Sequence, residues 1–185
     1  MGHEPKSEGV PARPWSVPLA RHEVPETGRR FELTADPPTR AAVAVLAGVE
    51  RLPRLEASFE VFPHGLAGLR VCGRVSATVG QVCVVTLEPV ESEVEEAIDL
   101  VFAPGGSMSA DGELAVDVTI DDLPEPLVNG GIDLGAIAVE FLILGIDPYP
   151  RKPDAVFEAP PPGKDDRSPF AVLAALKKGR DEDDG

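Results

Sequence analysis

The longest run of apolar residues, 132–153, has the pattern of a short helix with both ends marked. Asp133 stands at the position of an N-cap, where a carboxylate accepts backbone N–H groups. Gly145 and then Pro148 can end the helix, because glycine is common just past a helix and proline cannot continue one. Apolar residues cover one face and part of the opposite one, namely Leu134, Ile137, Ala138, Phe141 and Leu142 on the first and Val139, Ile143 and Ile146 on the second. The pattern therefore predicts a helix over 134–145 that is packed on more than one side.

A second helix is marked by Asp36 followed directly by two prolines. Proline is tolerated in the first turn of a helix because its missing N–H would have no partner there. Val43 and Leu46 give the next residues one apolar side. The sequence predicts a helix over 37–48.

Apolar and polar residues alternate with a period of two through most of the chain between these two helices. Four such runs cover residues 55–61, 69–79, 81–87 and 93–102, with turns at 62–68 and at Gly80. Short runs joined by tight turns, each half polar, predict an antiparallel meander with one face exposed to water. Further strands are expected at 15–20, 30–33 and 113–120, the last of them after a flexible loop at 104–109.

The predicted fold class is α+β: an antiparallel sheet or partly closed barrel with the two helices packed on it, and a short C-terminal helix at 170–178. Residues 1–13 are polar and form a predicted disordered start. Residues 14–158 form a single α+β domain, and residues 159–185 hold a proline-rich linker, the short helix and an acidic tail.

The net charge of −15 is concentrated in the middle of the chain. Residues 75–150 contain no Lys or Arg and 15 Asp or Glu. Such a surface repels the phosphate backbone of a nucleic acid and attracts a basic protein. The alternative is a face that serves solubility alone.

The sequence holds little of the chemistry that catalysis or metal binding requires. Its histidines lie in flexible, edge or turn regions, and two cysteines are too few for a zinc site of four ligands. The motifs of hydrolases, phosphate-binding loops and zinc proteases are absent. We expect no metal, no cofactor and no enzymatic activity. An enzyme would need a closed pocket that holds Glu140 with Asp133 or Tyr149.

The chain has neither a secretory signal pattern nor the roughly 20 apolar residues that a membrane helix needs. We expect a cytoplasmic protein without a membrane partner. Cys72 and Cys83 fit a reducing compartment. A disulfide between them is disfavoured, because a hairpin turn at Gly80 would place Cys72 nearer to Leu87 than to Cys83.

Two segments resemble the YceD family, the large ribosomal RNA subunit accumulation proteins. The first joins the strand core Val71-Cys72-Gly73 to residues 83–89, which look like the family's C-x-x-C-L-x-P element. The second starts at Asp133, includes the acidic position Glu140 and ends at 147–150. The family-like structural residues are Cys83, Leu87, Pro89, Asp133, Glu140, Asp147, Pro148 and Pro150. The resemblance covers roughly residues 15–178, and residues 168–173 look like the end of the family's alphaproteobacterial branch.

The chain departs from the family pattern at two positions. Thr86 stands where the second cysteine is often found, and Val85 stands where a basic residue is common. If the paired cysteines of relatives bind metal or respond to redox state, this chain is not expected to do so. The resemblance implies a bacterial role in the synthesis, processing or stability of 23S ribosomal RNA, and it implies no catalytic residue.

Two hypotheses for the mechanism remain. In the first, the acidic middle binds a basic ribosomal or RNA-processing protein, and ribosomal RNA is engaged directly or indirectly. In the second, the N-terminal half binds RNA directly through an arginine patch, with arginine forks on phosphates. The patch would comprise Arg29, Arg30, Arg51, Arg54, Arg70 and Arg74. The alternative for these arginines is pairing with nearby carboxylates, namely Glu32, Glu50, Glu56 and Glu60.

Overall fold

A computed structural model describes residues 13–104 and 124–157 of the chain. The strands are β1 (Pro18–Ala20), β2 (Arg29–Thr34), β3 (Arg51–His64), β4 (Gly68–Val82), β5 (Pro89–Pro104), β6 (Glu125–Leu127) and β7 (Gly131–Asp133). The helices are α1 (Pro37–Ala47), between β2 and β3, and α2 (Leu134–Gly145), directly after β7.

The strands form two open sheets. The larger has the order β2-β3-β4-β5-β6, and β1 pairs with β7 in a separate two-stranded sheet. All neighbours are antiparallel except β5 and β6, which pair in parallel. Strands make up 48% of the described residues, and neither sheet closes. The predicted α+β class, with an antiparallel sheet or partly closed barrel and two packed helices, is therefore wrong. The described part of the chain is β-rich.

One reason for the difference is that the central strands are longer than predicted. The sequence predicts a turn at Gly80 and a separate strand over 81–87, but β4 continues through Gly80 to Val82, and residues 83–88 form the turn. Gly80 pairs with Arg51 of β3, and a Cβ atom on Gly80 would lie 2.4 Å from Arg51 Cγ. The glycine permits the close approach of a side chain and does not mark a turn.

Within the described residues, both edge strands of the larger sheet are short. β2 pairs with residues 56–61 of β3, and β6 pairs with the last three residues of β5. A closed barrel requires its first and last strands to pair with each other at a consistent stagger. Neither edge strand extends far enough to do so.

The inner face of the larger sheet forms the core together with the two helices. The inward-facing apolar residues of β3, β4 and β5 are mostly buried, whereas Leu100 is half-buried; the buried ones are Leu55, Ala57, Phe59, Val61, Leu69, Val71, Val75, Ala77, Val79, Val94, Ile98 and Phe102. A bulge between Arg51 and Arg54 adds one residue to β3. Leu52 and Leu55 are therefore both buried, and both arginines point outward.

Both helices begin at the predicted caps. The Asp36 carboxylate accepts a hydrogen bond from Thr39 N at 2.9 Å, and the Asp133 carboxylate accepts one from Ala136 N at 3.2 Å. α2 buries Leu134, Ile137, Ala138, Val139 and Leu142, whereas Ile143 and Leu144 are exposed. The helix is thus packed on one broad side, and a strip near its C-terminal end faces outward.

Some predictions lie outside the described residues, namely the strand over 113–120, most of the loop at 104–109 and the helix at 170–178. The chain divides into two units, Met1–Pro153 and Asp154–Gly185. Residues 154–157 of the second unit are described and contain no helix or strand. The domain boundaries at 13/14 and 158/159 stay predictions. Within residues 13–104 and 124–157, no helix is long and apolar enough to cross a membrane.

Candidate functional site

The outer face of the larger sheet, opposite the core, carries ion pairs that join arginines of β3 and β4 to carboxylates of β5. The pairs are Arg51–Glu91 at 3.1 Å, Arg54–Glu93 at 2.6 Å, Arg70–Asp99 at 2.9 Å and Arg74–Glu95. We call these four pairs the charge ladder. Strand register produces it: Thr78 of β4 lies between Arg54 and Glu93, and its hydroxyl donates to Glu93 at 2.7 Å.

Two carboxylates of the ladder, Glu93 and Asp99, have lowered pKa values. Arg70 donates to Asp99 through Nε at 3.1 Å and through Nη2 at 2.9 Å, and this two-pronged contact lowers the pKa of Asp99. The Thr78 hydroxyl, followed by Arg54, lowers the pKa of Glu93. Arg54 and Arg70 therefore already donate hydrogen bonds to carboxylates of the same chain.

Five of the six arginines proposed as an RNA patch lie on this outer face. Arg30 pairs with Glu32 at 2.7 Å, and Arg54 also contacts Glu56 at 3.2 Å. Arg29 lies on the opposite face, with its guanidinium carbon 4.9 Å from the centre of the Phe31 ring. The structure brings five arginines to one face but places each of them beside a carboxylate.

Most of the described carboxylates in the acidic middle of the chain pair with basic residues from other regions. Ten of its carboxylates are described, and six of them form ion pairs with Arg13, Arg51, Arg54, Arg70, Arg74 and Lys152. All six basic partners lie outside residues 75–150. The other four carboxylates form no ion pair with any described residue, and they are Glu96, Glu125, Glu140 and Asp147.

The turn at 83–88 lies against the segment 147–152 that follows α2. Val84 N donates to Pro150 O at 2.9 Å, and Lys152 Nζ pairs with Glu88 at 2.8 Å. Gln81, two residues before the turn, donates through Nε2 to Asp147 O at 2.9 Å. We call this contact the turn–exit junction. It contains most of the family-like residues, whereas Asp133 and Glu140 lie on or beside α2.

Cys83 is the buried centre of the junction, with 0% of its surface exposed. Thr86 N and Lys152 N donate to its Sγ at 3.5 and 3.4 Å. The hydroxyl and N–H of Thr86, followed by the N–H of Lys152, lower the pKa of the Cys83 thiol to about 6, although burial acts in the opposite direction. Both Cys72 and Cys83 are free thiols. The part of the chain that the structure describes holds no group of three or more His, Cys, Asp or Glu that could bind a metal ion.

The backbone of the junction turn is strained at one residue. Leu87 has a φ of +59°, in the left-handed region, and its side chain is exposed. That conformation costs a residue other than glycine about 1–2 kcal/mol. Two hydrogen bonds of 2.9 Å hold the turn, from Leu87 N to Cys83 O and from Cys83 N to Glu88 O. Pro89 then begins β5, a strand position where proline is tolerated.

Asp133 links α2 to the segment before β1. Besides capping α2, its carboxylate accepts hydrogen bonds from Val17 N at 2.8 Å and Ser16 Oγ at 2.8 Å, and it pairs with Arg13 at 3.3 Å. Burial alone would raise the pKa of Asp133, but these donors outweigh it and lower the pKa. The role of this family-like residue is therefore structural.

Glu140 lies in a different setting, at the edge of an apolar groove beside α2. The groove has a volume of about 370 Å³ and also contacts α1 and the segment before β1. We call it the α2 groove; it is lined by Arg13, Pro14, Trp15, Leu46, Ala136, Val139, Glu140, Ile143 and Leu144. Glu140 is exposed and is the acidic residue of this lining.

A protein-family model described as "Large ribosomal RNA subunit accumulation protein YceD" matches residues 71–177, which is more than half of the chain. The chain belongs to the YceD family. This confirms the family prediction made from sequence. No curated protein and no solved structure matches the chain. The YceD match covers β5, the turn–exit junction and α2, while β3, which supplies Arg51 and Arg54, precedes it.

The YceD family is described by RNA accumulation and not by a reaction. A second concave surface, of about 380 Å³, contains Asp133 and Glu140, the pair that an enzyme would need. Asp133 is already engaged by four donors, and Tyr149 does not line this surface. Asp133 is therefore not free to act with Glu140 as an acid–base pair in this surface.

Proposed function

We propose that this YceD protein is a non-enzymatic, cytoplasmic factor that supports the synthesis, processing or stability of 23S ribosomal RNA by binding a basic protein. Family membership carries the proposal, since the family is named for the accumulation of large-subunit ribosomal RNA. The partner is a ribosomal or RNA-processing protein, and ribosomal RNA is reached through it.

Charge supports the choice of a basic partner. The chain has a net charge of −15, and four described carboxylates of its middle region have no ion-pair partner among the described residues. Such a surface steers a positively charged protein toward it and repels free phosphate backbones. A basic protein bound in this way is shielded from non-specific RNA until it is delivered.

Depletion of the protein tests the cellular role. The ratio of 23S to 16S ribosomal RNA is measured in depleted cells, and the ends of the precursors are mapped. We expect a selective fall in 23S. An unchanged ratio would contradict the proposed role.

A pull-down under two conditions tests the partner class. Contact with a basic protein survives nuclease treatment and is lost at high salt, because ion pairs between exposed groups are screened. Loss on nuclease treatment would mean that RNA holds the complex together, which would contradict a direct protein partner.

Direct RNA binding is the second candidate, and one observation favours it: five arginines share the outer face of the sheet. Phosphates would have to replace the carboxylates beside them, which is feasible because exposed ion pairs are weak. The test is the double variant Arg70→Gln, Arg74→Gln. Weaker RNA binding with a flatter salt dependence would support the patch, and unchanged affinity would exclude it.

A further inference from the structure

The α2 groove combines a buried apolar floor with exposed apolar walls. Trp15 and Val139 in the floor are 8% and 5% exposed, whereas Leu46 and Leu144 in the walls are 57% and 73% exposed. The exposed apolar side chains belong to both helices, α1 and α2. Grooves of this kind accept the apolar face of a helix from another protein.

The charge at the groove is unmatched. Glu140 is exposed and forms no salt bridge with the described residues. Arg13, the basic residue of the lining, is engaged by Asp133 at 3.3 Å. The charge ladder shows the opposite arrangement, in which each exposed carboxylate of β5 faces an arginine of the same chain.

We propose that the α2 groove is the docking site for an amphipathic segment of a basic protein, whose apolar side chains enter the groove and whose Lys or Arg pairs with Glu140. Charge complementarity identifies the occupant. A second copy of this acidic chain would add like charge, and a nucleic acid would meet the Glu140 carboxylate and an apolar floor. The inference rests on the proposed function for the class of partner and adds the surface that binds it.

Site-specific photo-crosslinking in the full chain tests the docking site. A photoreactive phenylalanine derivative replaces Leu144 in the groove wall, in cells that carry this chain in place of their own copy. The matched control carries the same group in place of Leu66, a fully exposed leucine in the turn between β3 and β4. We expect the group at position 144, and not at 66, to link to a protein that mass spectrometry identifies as basic.

A charge reversal tests the role of Glu140 in the same labelled chain. We expect Glu140→Lys to lower the yield of the linked product about tenfold, because it places like charges together at a desolvated contact. Glu26→Lys, which makes the same charge change in an exposed turn, should change the yield less than about twofold, since a charge away from the contact acts through long-range steering alone. Equal loss in both variants would overturn a specific pairing.

Other linked products also overturn the inference. These are equal yields from positions 144 and 66, no product from either, or links from position 144 to nucleic acid, to an acidic protein, to a second copy or to another part of the same chain.

The ribosomal RNA ratio separates the two proposals. If depletion lowers 23S and a chain with Glu140→Lys restores it fully, the docking site is wrong and the proposed function stands. If the Glu140-dependent product forms while depletion leaves the ratio unchanged, the docking site stands and the proposed function fails.

Discussion

The charge ladder and the α2 groove use exposed carboxylates in opposite ways. On the outer face of the sheet, Glu91, Glu93, Glu95 and Asp99 each lie beside an arginine of β3 or β4. At the groove, Glu140 lies beside exposed apolar side chains and has no such partner in the described residues. Ion pairs on the solvent-exposed face of a sheet contribute modestly to stability and help to specify the strand register. The unpaired charge of Glu140 adds no comparable stability to the isolated fold. Exposed apolar surface with a polar rim marks interaction sites, so this arrangement points to a role in binding.

The largest expected difference is between two leucines of α2 that lie two residues apart. Leu142 is fully buried, and Leu144 is 73% exposed. Leu142→Ala should lower the free energy of unfolding by about 2–5 kcal/mol, through lost burial and a cavity. Leu144→Ala should change it by less than about 0.5 kcal/mol. Urea unfolding of both variants measures the difference, and similar losses would mean that the groove wall is part of the core.

A smaller loss of stability is expected when the contact between α2 and the segment before β1 is removed. Asp133→Ala removes the cap of α2 and the acceptor for Val17 N and Ser16 Oγ. We expect a loss of about 1–2 kcal/mol, as for other N-caps. Asp36→Ala, which removes the cap of α1 alone, is the matched control. Thermal or urea unfolding should show a greater loss for Asp133→Ala, and the reverse order would contradict its linking role.

The buried thiol of the junction should make stability depend on pH. The folded pKa of Cys83 is about 6, and that of an unfolded cysteine is about 8.5. Between these values the unfolded chain holds more protons, so the free energy of unfolding should rise with pH, and this contribution is lost as pH falls through the folded pKa. Unfolding at pH 6, 7 and 8.5 measures the slope. Cys83→Ala should flatten it, and an equal slope in both proteins would show that the thiol stays protonated.

The smallest effects on stability are expected for single carboxylates, one from the charge ladder and one from the α2 groove. Glu93→Gln removes an ion pair of the ladder and should lower the free energy of unfolding slightly, and by less at high salt. Glu140→Gln should cost nothing measurable in the isolated protein, because no partner is lost among the described residues. Unfolding at low and high salt checks both variants. A salt-dependent loss of stability for Glu140→Gln would show that Glu140 has a partner within the chain. That result would contradict the contrast between the α2 groove and the charge ladder.

Much of the local structure could be predicted from the sequence because neighbouring residues determine it. The caps at Asp36 and Asp133 and the extent of α2 follow from side chains within a few positions. The inward faces of β3 and β4 follow from strict alternation. Gly80 failed as a turn signal because glycine serves close approach as well as turns, and the sequence does not distinguish these uses.

The candidate site depended on contacts that no local pattern contains. The acidic stretch of residues 75–150 was visible in the sequence, but its pairing was not, because Arg54 and Glu93 are 39 positions apart and meet through the register of three strands. The groove likewise joins Trp15, Leu46 and Leu144, which are distant in sequence.

The sequence by itself determined the two helices, their caps, the alternation along β3 and most of β4, and the family of this protein, since these depend on short-range geometry and on motif residues at fixed spacing. The tertiary structure alone decided that the described part of the sheet stays open and that the 83–88 turn meets the 147–152 segment. It also left Glu140 without a partner among the described residues, while Glu91, Glu93, Glu95 and Asp99 of β5 are matched. The physical reason is that strand register and helix packing bring together residues far apart in the chain, and burial and charge pairing are properties of that arrangement.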